Sequence, residues 1–325
     1  MMSLHDDSRE ADQTRDSTRL LRVAIATTAI AAALYVAFLA ISMVTLFGPA
    51  PSPERTAMTE RPLKIAMVRL VGGRAAWPHY VEALDHLGAE LDRPVSTMFL
   101  QDGERAEAAF EAHTDLDGAF MSIYAYLLAR ESEPGLTRLV SPIINGHERE
   151  RAVLVVAAES DYRQVEDLRG GRAALAPPGV GGSLAGNGYA RLLLDERGLG
   201  SAEHFFSTVE VGGSQEANLR RVKAGLADVT SVNRTQLASW PPGTFRVIAR
   251  SQEYGMPPFV LSPRLSDGEA DAIIGALLSF RPAGEVGDDS LERFVTADPD
   301  DYEFPLVLLS YVHPERREPF VVEGR

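Results

Sequence analysis

The sequence predicts an α/β protein of two similar lobes preceded by one membrane-spanning helix. Three observations lead there: an uncharged run of 25 residues near the start, short β-type runs that alternate with helical patterns from Leu63 onward, and a faint internal echo. With 325 residues and 45% hydrophobic content, the chain is long enough to fill the cores of two ordinary domains.

The uncharged run extends from Val23 to Phe47. As a helix rising about 1.5 Å per residue it exceeds the roughly 30 Å hydrocarbon core of a bilayer. Cleavable signal peptides have shorter apolar regions, about 7–15 residues, so the length favours an uncleaved anchor. Arg9, Arg15, Arg19 and Arg22 precede the span, and Arg55, Arg61 and Lys64 follow it. That slight excess predicts a cytoplasmic tail over residues 1–22 and an extracytoplasmic soluble part. Residues 48–61, rich in proline and alternating charge, read as an extended tether.

Beyond the tether, β-type runs at Leu63–Leu70, Pro94–Leu100 and Leu116–Ser122 alternate with helical patterns at Trp77–Leu91 and Arg105–Ala112. Such alternation predicts a parallel sheet with covering helices. Trp77, Tyr80, Val81, Leu84, Leu87 and Leu91 recur at three- and four-residue steps and predict one buried helix face. After a crossing near Asn145–Arg151 the pattern resumes with strands at Ala152–Ala158, Arg172–Ala176, Phe206–Val211 and Asp228–Val232 and a helix at Glu216–Ala224. A last strand (Phe259–Ser262) and a final helix (Asp267–Phe280) follow. The expected division is residues 62–145 plus 256–325 for the first lobe and 146–255 for the second. In the echo, "AAFEAHTDLDGAFMS" and "LRRVKAGLADVTSV" each leave a helix and enter a strand through an aspartate, Asp117 or Asp228, read as a turn residue.

Composition removes several function classes. A net charge of −14 argues against nucleic acid or an anionic membrane surface as partner. The absence of cysteine excludes disulfides, thiolate metal sites and cysteine nucleophiles. The seven histidines are scattered without metal-ligand spacing, and no motif requires a cofactor.

In an open α/β sheet, ligands bind where the carboxyl ends of strands meet helix amino termini. Those ends are "VGGRAAW" (71–77), "MSIYAY" (121–126), "PPGVGGS" (177–183), "VGGSQEA" (211–217) and "SVNRTQ" (231–236). Exposed backbone N–H groups there suit an anion or polar headgroup. Gly181, Gly182 and Ser183 form the richest end; Ser122, Tyr126, Ser214, Gln215 and Asn233 supply further polar groups, and Arg74 can pair with an anion. Serine and asparagine at these positions are equally ordinary helix caps, and both roles remain open at this point.

Residues 175–190, "LAPPGVGGSLAGNGYA", fail the nucleotide motifs. Leu184 stands where a dinucleotide fingerprint needs glycine, and Asn187-Gly188 where a phosphate loop needs lysine and a hydroxyl. "GGSLA" also resembles a nucleophile elbow, so an anchored serine hydrolase using Ser183 is one alternative; His204 and His313 are the only histidines after it.

"LKIAMV" (63–68), "DGAFMSIYAYLLAR" (117–130), "VEDLRGGRAALAPP" (165–178), "VGGSQEANLRRVKAGLADVTSVN" (211–233) and "MPPFVLSP" (256–263) follow one another in an order and spacing that resembles a known family. It is the phosphonate/phosphite-type solute-binding proteins of ABC transporters, and the resemblance covers residues 62–282. It implies the two-lobed type II periplasmic-binding-protein fold, a small-molecule ligand held between lobes, and a permease and ATPase as partners. The family's Ser-Thr-Ser grip falls on Ser183-Leu184-Ala185, its tyrosine after the third strand on Tyr126, a histidine or serine on Ser214, and an aspartate on Asn233. Two hydroxyls and one carboxylate are thus absent, which suits a less charged ligand than a phosphonate. The implied function is a membrane-anchored, extracytoplasmic solute-binding protein; a solute sensor in a signalling system is the other alternative.

Overall fold

The computed structural model describes residues 61–68, 73–100, 110, 115–177, 184–283 and 291–313, with the side chains of 68 and 73–77 left aside. The expected span at 23–47, the tether, the helix expected at Arg105–Ala112 apart from Phe110, and Gly181, Gly182 and Ser183 lie outside the described residues. Among the described residues, no helix is long and apolar enough to cross a membrane.

From its first strand the chain runs β1 (Leu63–Val68), α1 (Gly73–Glu90), β2 (Val95–Leu100), β3 (Gly118–Phe120), α2 (Ile123–Ser132) and β4 (Leu139–Ile144). A short strand β5 (Arg149–Glu150) leads into β6 (Ala152–Ala157), β7 (Arg172–Leu175), a π-helical turn (Leu184–Gly188), α3 (Tyr189–Glu196), α4 (Ala202–Phe205), β8 (Thr208–Val211), α5 (Gln215–Lys223), β9 (Val229–Asn233), α6 (Arg234–Ala238) and β10 (Phe245–Arg250). The chain then returns through β11 (Tyr254–Gly255) to β12 (Phe259–Leu261), α7 (Asp267–Ser279), β13 (Leu291–Ala297) and α8 (Glu303–Val312).

Two sheets result. The first has the order β13-β4-β12-β3-β1-β2 and the second β10-β6-β9-β7-β8, with β5 and β11 paired as an antiparallel ribbon between them. Each sheet opens with three parallel strands, β2-β1-β3 and β8-β7-β9, and continues with antiparallel ones. The expectation of purely parallel sheets is therefore corrected. The strand beside β3 (β12) and the strand beside β9 (β6) each arrive directly from the other lobe, without the helical crossover a parallel neighbour needs.

The echo has a structural meaning. Asp117 N donates to Lys64 O (2.9 Å), and the Asp117 carboxylate accepts from Lys64 N (2.9 Å) and the Arg61 guanidinium. Asp228 N donates to Arg172 O (2.8 Å), and its carboxylate accepts from Arg172 N (2.7 Å) and the Arg172 guanidinium. In both lobes an aspartate before the third strand fastens it to the start of the first. The Arg172 hydrogen bonds hold the Asp228 carboxyl below its ordinary range.

Tyr80, Leu84 and Leu87 of α1 are buried against sheet one with Phe120 and Phe259, as the helical spacing predicts. Val81 is a correction, because it is exposed, off the buried stripe. Several elements were not anticipated, and three of them carry a visible reason. Strand β4, "LVSPII", carries Pro142, which argues against a strand in sequence but here pairs with Phe294 of β13. Strand β10 is broken by a bulge between Val247 and Ala249. Helix α8 is apolar all round and holds Pro305 in its first turn, where proline is tolerated, so it shows no amphipathic period. Residues 303–312 do not simply complete the first lobe: Tyr311 reaches Asp195 of the second, and the Leu308 carbonyl abuts Gly188.

Candidate functional site

In sheet two, the carboxyl ends of β7, β8 and β9 lie side by side because these strands are parallel neighbours. Gly212 N, at the start of the β8–α5 loop, donates to Leu175 O at the end of β7 (2.9 Å). Asn233 N, at the end of β9, donates to Oε1 of Gln215 (2.7 Å). Ser231 Oγ donates to the Ala185 carbonyl in the turn after the glycine loop. Hence the ends of β7, β8 and β9 and the turn at 184–188 share one edge.

Ser214 caps α5, accepting from Ala217 N (3.1 Å), and its side chain is exposed. Gln215 is buried and braces the end of β9. The glycines nearest the helix have a packing role. A Cβ on Gly186 would come within 2.8 Å of the Ala176 side chain, and one on Gly188 within 2.6 Å of Leu308 O. Asn187 donates to Ala176 O (3.1 Å) and accepts from Arg191 (2.6 Å), so this turn is fastened to β7 and α3.

In sheet one, β1 and β3 are likewise parallel neighbours, and Met121 N at the β3 end donates to Pro258 O (2.9 Å). Ser122 caps α2 and accepts from Ala125 N (3.1 Å). Arg74 sits in the first turn of α1, its side chain outside the described set. Tyr126, in contrast, belongs to the core: it is fully buried, its ring meets Tyr302 edge to face, and its hydroxyl donates to Leu136 O (3.3 Å). Two residues earlier, Tyr124 rather than Tyr126 stands at the partly exposed first turn, where its hydroxyl meets His313 Nε2 (2.8 Å).

The returning strand joins the two edges. Tyr254 hydroxyl donates to Asn233 Oδ1 (3.1 Å) at the edge of sheet two, and Pro258 receives Met121 at the edge of sheet one. Four extended residues span at most about 14 Å. Both carboxyl edges therefore border the same stretch of hinge.

Sequence reasoning passed over Glu150, hidden in the charged run "HERER". It is 2% exposed, on the hinge ribbon, and accepts from Thr235 Oγ1, Thr235 N (3.4 Å) and Arg151 N (2.9 Å), with the Arg234 guanidinium 4.0 Å away. Burial holds its carboxyl above the ordinary 4.5 despite these partners. A raised folded value means that protonation favours folding: this contribution is full below about pH 4.5 and is lost as pH rises through the folded value. Glu150→Gln does not titrate, so its melting temperature relative to the native chain is expected to rise as pH increases above about 4.5 and to level off once pH has passed the folded value. A difference that stays constant with pH would contradict this.

Residues 78–302 match the family described as the periplasmic substrate-binding protein of phosphonate ABC transporters. The chain belongs to that family. Its members are extracytoplasmic binding components of transporters, and this phosphonate-type binding protein shares that general role. Its backbone resembles PhnD1 from Prochlorococcus marinus in complex with methylphosphonate (TM-score 0.58, 16% identity, covering 78% of this chain and 97% of that one). It also resembles XAC2383 from Xanthomonas citri bound to ATP (0.58, 16%, 79% and 98%). A third similar structure is PA3383, a binding-protein component of an ABC phosphonate transporter from Pseudomonas aeruginosa (0.58, 16%, 78% and 87%). At such identity these structures share the two-lobed fold alone. No curated protein matches the chain in sequence.

Proposed function

We propose that this phosphonate-type binding protein is anchored in the membrane through residues 23–47, closes its two lobes over a small anionic ligand, and delivers it to a permease and ATPase. The observation that carries the reading is the hinge stretch 254–258, which touches the carboxyl edges of both parallel trios through Asn233 and Met121. A ligand between those edges meets the capped starts of α2 and α5, where Ser122 and Ser214 can still donate their hydroxyl protons. Gly181, Gly182 and Ser183 complete the set in this reading, with Asn233 and Arg74 at its margin and Gln215 holding the β9 end in place.

Leu184 and Ala185 are buried, so the hydroxyls the family carries there have no equivalent here. Ser183 then bears much of the recognition. A hydrogen bond to a charged group contributes about 1.5–3 kcal/mol, so Ser183→Ala is expected to weaken binding roughly 10- to 150-fold. Calorimetric titration with the tightest probe reads this directly.

That probe comes from a thermal-shift screen of the full chain in detergent with methylphosphonate, phosphite, small carboxylates and thiamine-like cations. Binding to the folded form raises the melting temperature. One of the anionic arms, carboxylate, phosphonate or phosphite, is expected to do so; a response confined to cationic compounds would overturn the anionic reading. Alkaline carbonate extraction of cell membranes tests the anchor, which predicts full retention in the pellet.

A further inference from the structure

Helix α8 and the turn before it touch the hinge and both lobes. Tyr302, fully buried, lays its ring against Gly255 of the hinge ribbon, donates its hydroxyl to Met256 O (2.8 Å) and packs edge to face on Tyr126 of lobe one (4.9 Å between centroids). Gly255 has no room for a side chain there, since a Cβ would lie 2.7 Å from the Tyr302 ring. Asp301 pairs with Arg149 on the other strand of the ribbon, and Phe304 stacks on Tyr254.

The body of the helix rests on lobe two. Its Leu308 carbonyl fits against Gly188, Leu308 and Leu309 share a buried cluster with Leu184, Tyr189 and Leu192, and Tyr311 bonds to Asp195. At its far end it returns to lobe one, where His313 Nε2 meets the Tyr124 hydroxyl at 2.8 Å with the rings stacked 5.7 Å apart. Arg130 adds a longer contact to Glu303 (3.4 Å).

We infer that residues 298–313 form a strap across the hinge, a third connection beside the two hinge strands, and that the Tyr124–His313 bond is the tie that breaks when the lobes separate. The reasoning is one of relative strength. Contacts to lobe two are largely buried and apolar and include a close backbone approach; lobe one is met beside the hinge by the Tyr302–Tyr126 ring contact and, at the far end of the helix, by the partly exposed Tyr124–His313 pair. A rotation of the lobes leaves the helix on lobe two and opens its weaker end. Because Tyr124 lies two residues beyond Ser122, the tie also connects the ligand edge of lobe one to the strap. Its strength then sets how much of the protein is open before any ligand arrives.

The chain has no native cysteine, so a label pair is unambiguous. Ala89→Cys on α1 and Ala224→Cys after α5, both exposed, place one nitroxide on each lobe of the full chain in detergent. Electron–electron double resonance without ligand should give a broader, longer distance distribution in Tyr124→Phe and in His313→Ala. The population outside the native peak should gain roughly three- to tenfold, as loss of one hydrogen bond allows. His86→Ala, which loses contacts to Ala276, Ser279 and Phe280, all within lobe one, should leave the distribution unchanged. Superimposable distributions for the native chain and Tyr124→Phe, with equal melting temperatures, would overturn the strap. No ligand enters the experiment, so its outcome is independent of the anionic reading above.

Discussion

Phe120→Ala is expected to lower the stability of the soluble domain by about 3–5 kcal/mol, the usual cost of emptying a buried aromatic site. Phe120 is fully buried, its ring 5.0 Å from Tyr80, 4.7 Å from Phe259 and 6.0 Å from Phe294, so it joins a helix, a lobe-one strand that returns from the hinge, and the strand after α7. The surroundings cannot collapse easily. Gly118, two residues away on the same face, already leaves so little space that a Cβ would meet the Phe259 ring at 2.5 Å. For a domain of this size the loss corresponds to a fall of roughly 6–20 °C in melting temperature. Thermal denaturation followed by circular dichroism measures it, and a fall below about 3 °C would show that the ring cluster does not hold sheet one together.

Gly188→Ala is the second large effect, and its sign is not obvious from sequence. Gly188 has helical torsions, φ −58° and ψ −40°, where alanine is intrinsically better by about 1 kcal/mol. Against this stands the Leu308 carbonyl, 2.6 Å from the position a Cβ would take. A backbone carbonyl within a packed helix yields less readily than the tip of a flexible side chain, and overpacking costs about 1–3 kcal/mol. The clash wins, and the variant should be destabilised. Gly275→Ala provides the contrast: Gly275 lies inside α7 with nothing within 4 Å of its would-be Cβ, so that change should stabilise by about 0.5–1 kcal/mol. Urea titrations of both variants compare them directly. Stabilisation by Gly188→Ala would mean that α8 is not seated on the glycine turn.

These two glycines show where reading the chain succeeds and where it stops. The loop 175–190 is legible as a strand-to-helix turn dense in glycine, and Gly181, Gly182 and Ser183 remain candidates for holding a ligand. That Gly186 and Gly188 answer to Ala176 and Leu308 is not legible, because Leu308 is 120 residues further along. Tyr126 misled for a similar reason. It stands in a ligand-edge segment, yet two residues of helix turn it inward onto Tyr302, while Tyr124 occupies the rim. Glu150 reads as one charge among several, and only its position on the hinge ribbon buries it beneath Thr235.

From the sequence alone come the alternation of strands and helices, the buried face of α1, the family likeness and the repeated aspartate motif, all of them patterns of residue order along the chain; that the two aspartates fasten residues 53 and 56 positions away is not among them. The mixed direction of both sheets, the strap of α8 over the hinge and the identity of the rim tyrosine were decided by tertiary structure. Each of those depends on which distant segments come to lie side by side. Local periodicity records which face of an element is apolar, but it does not record what will cover that face.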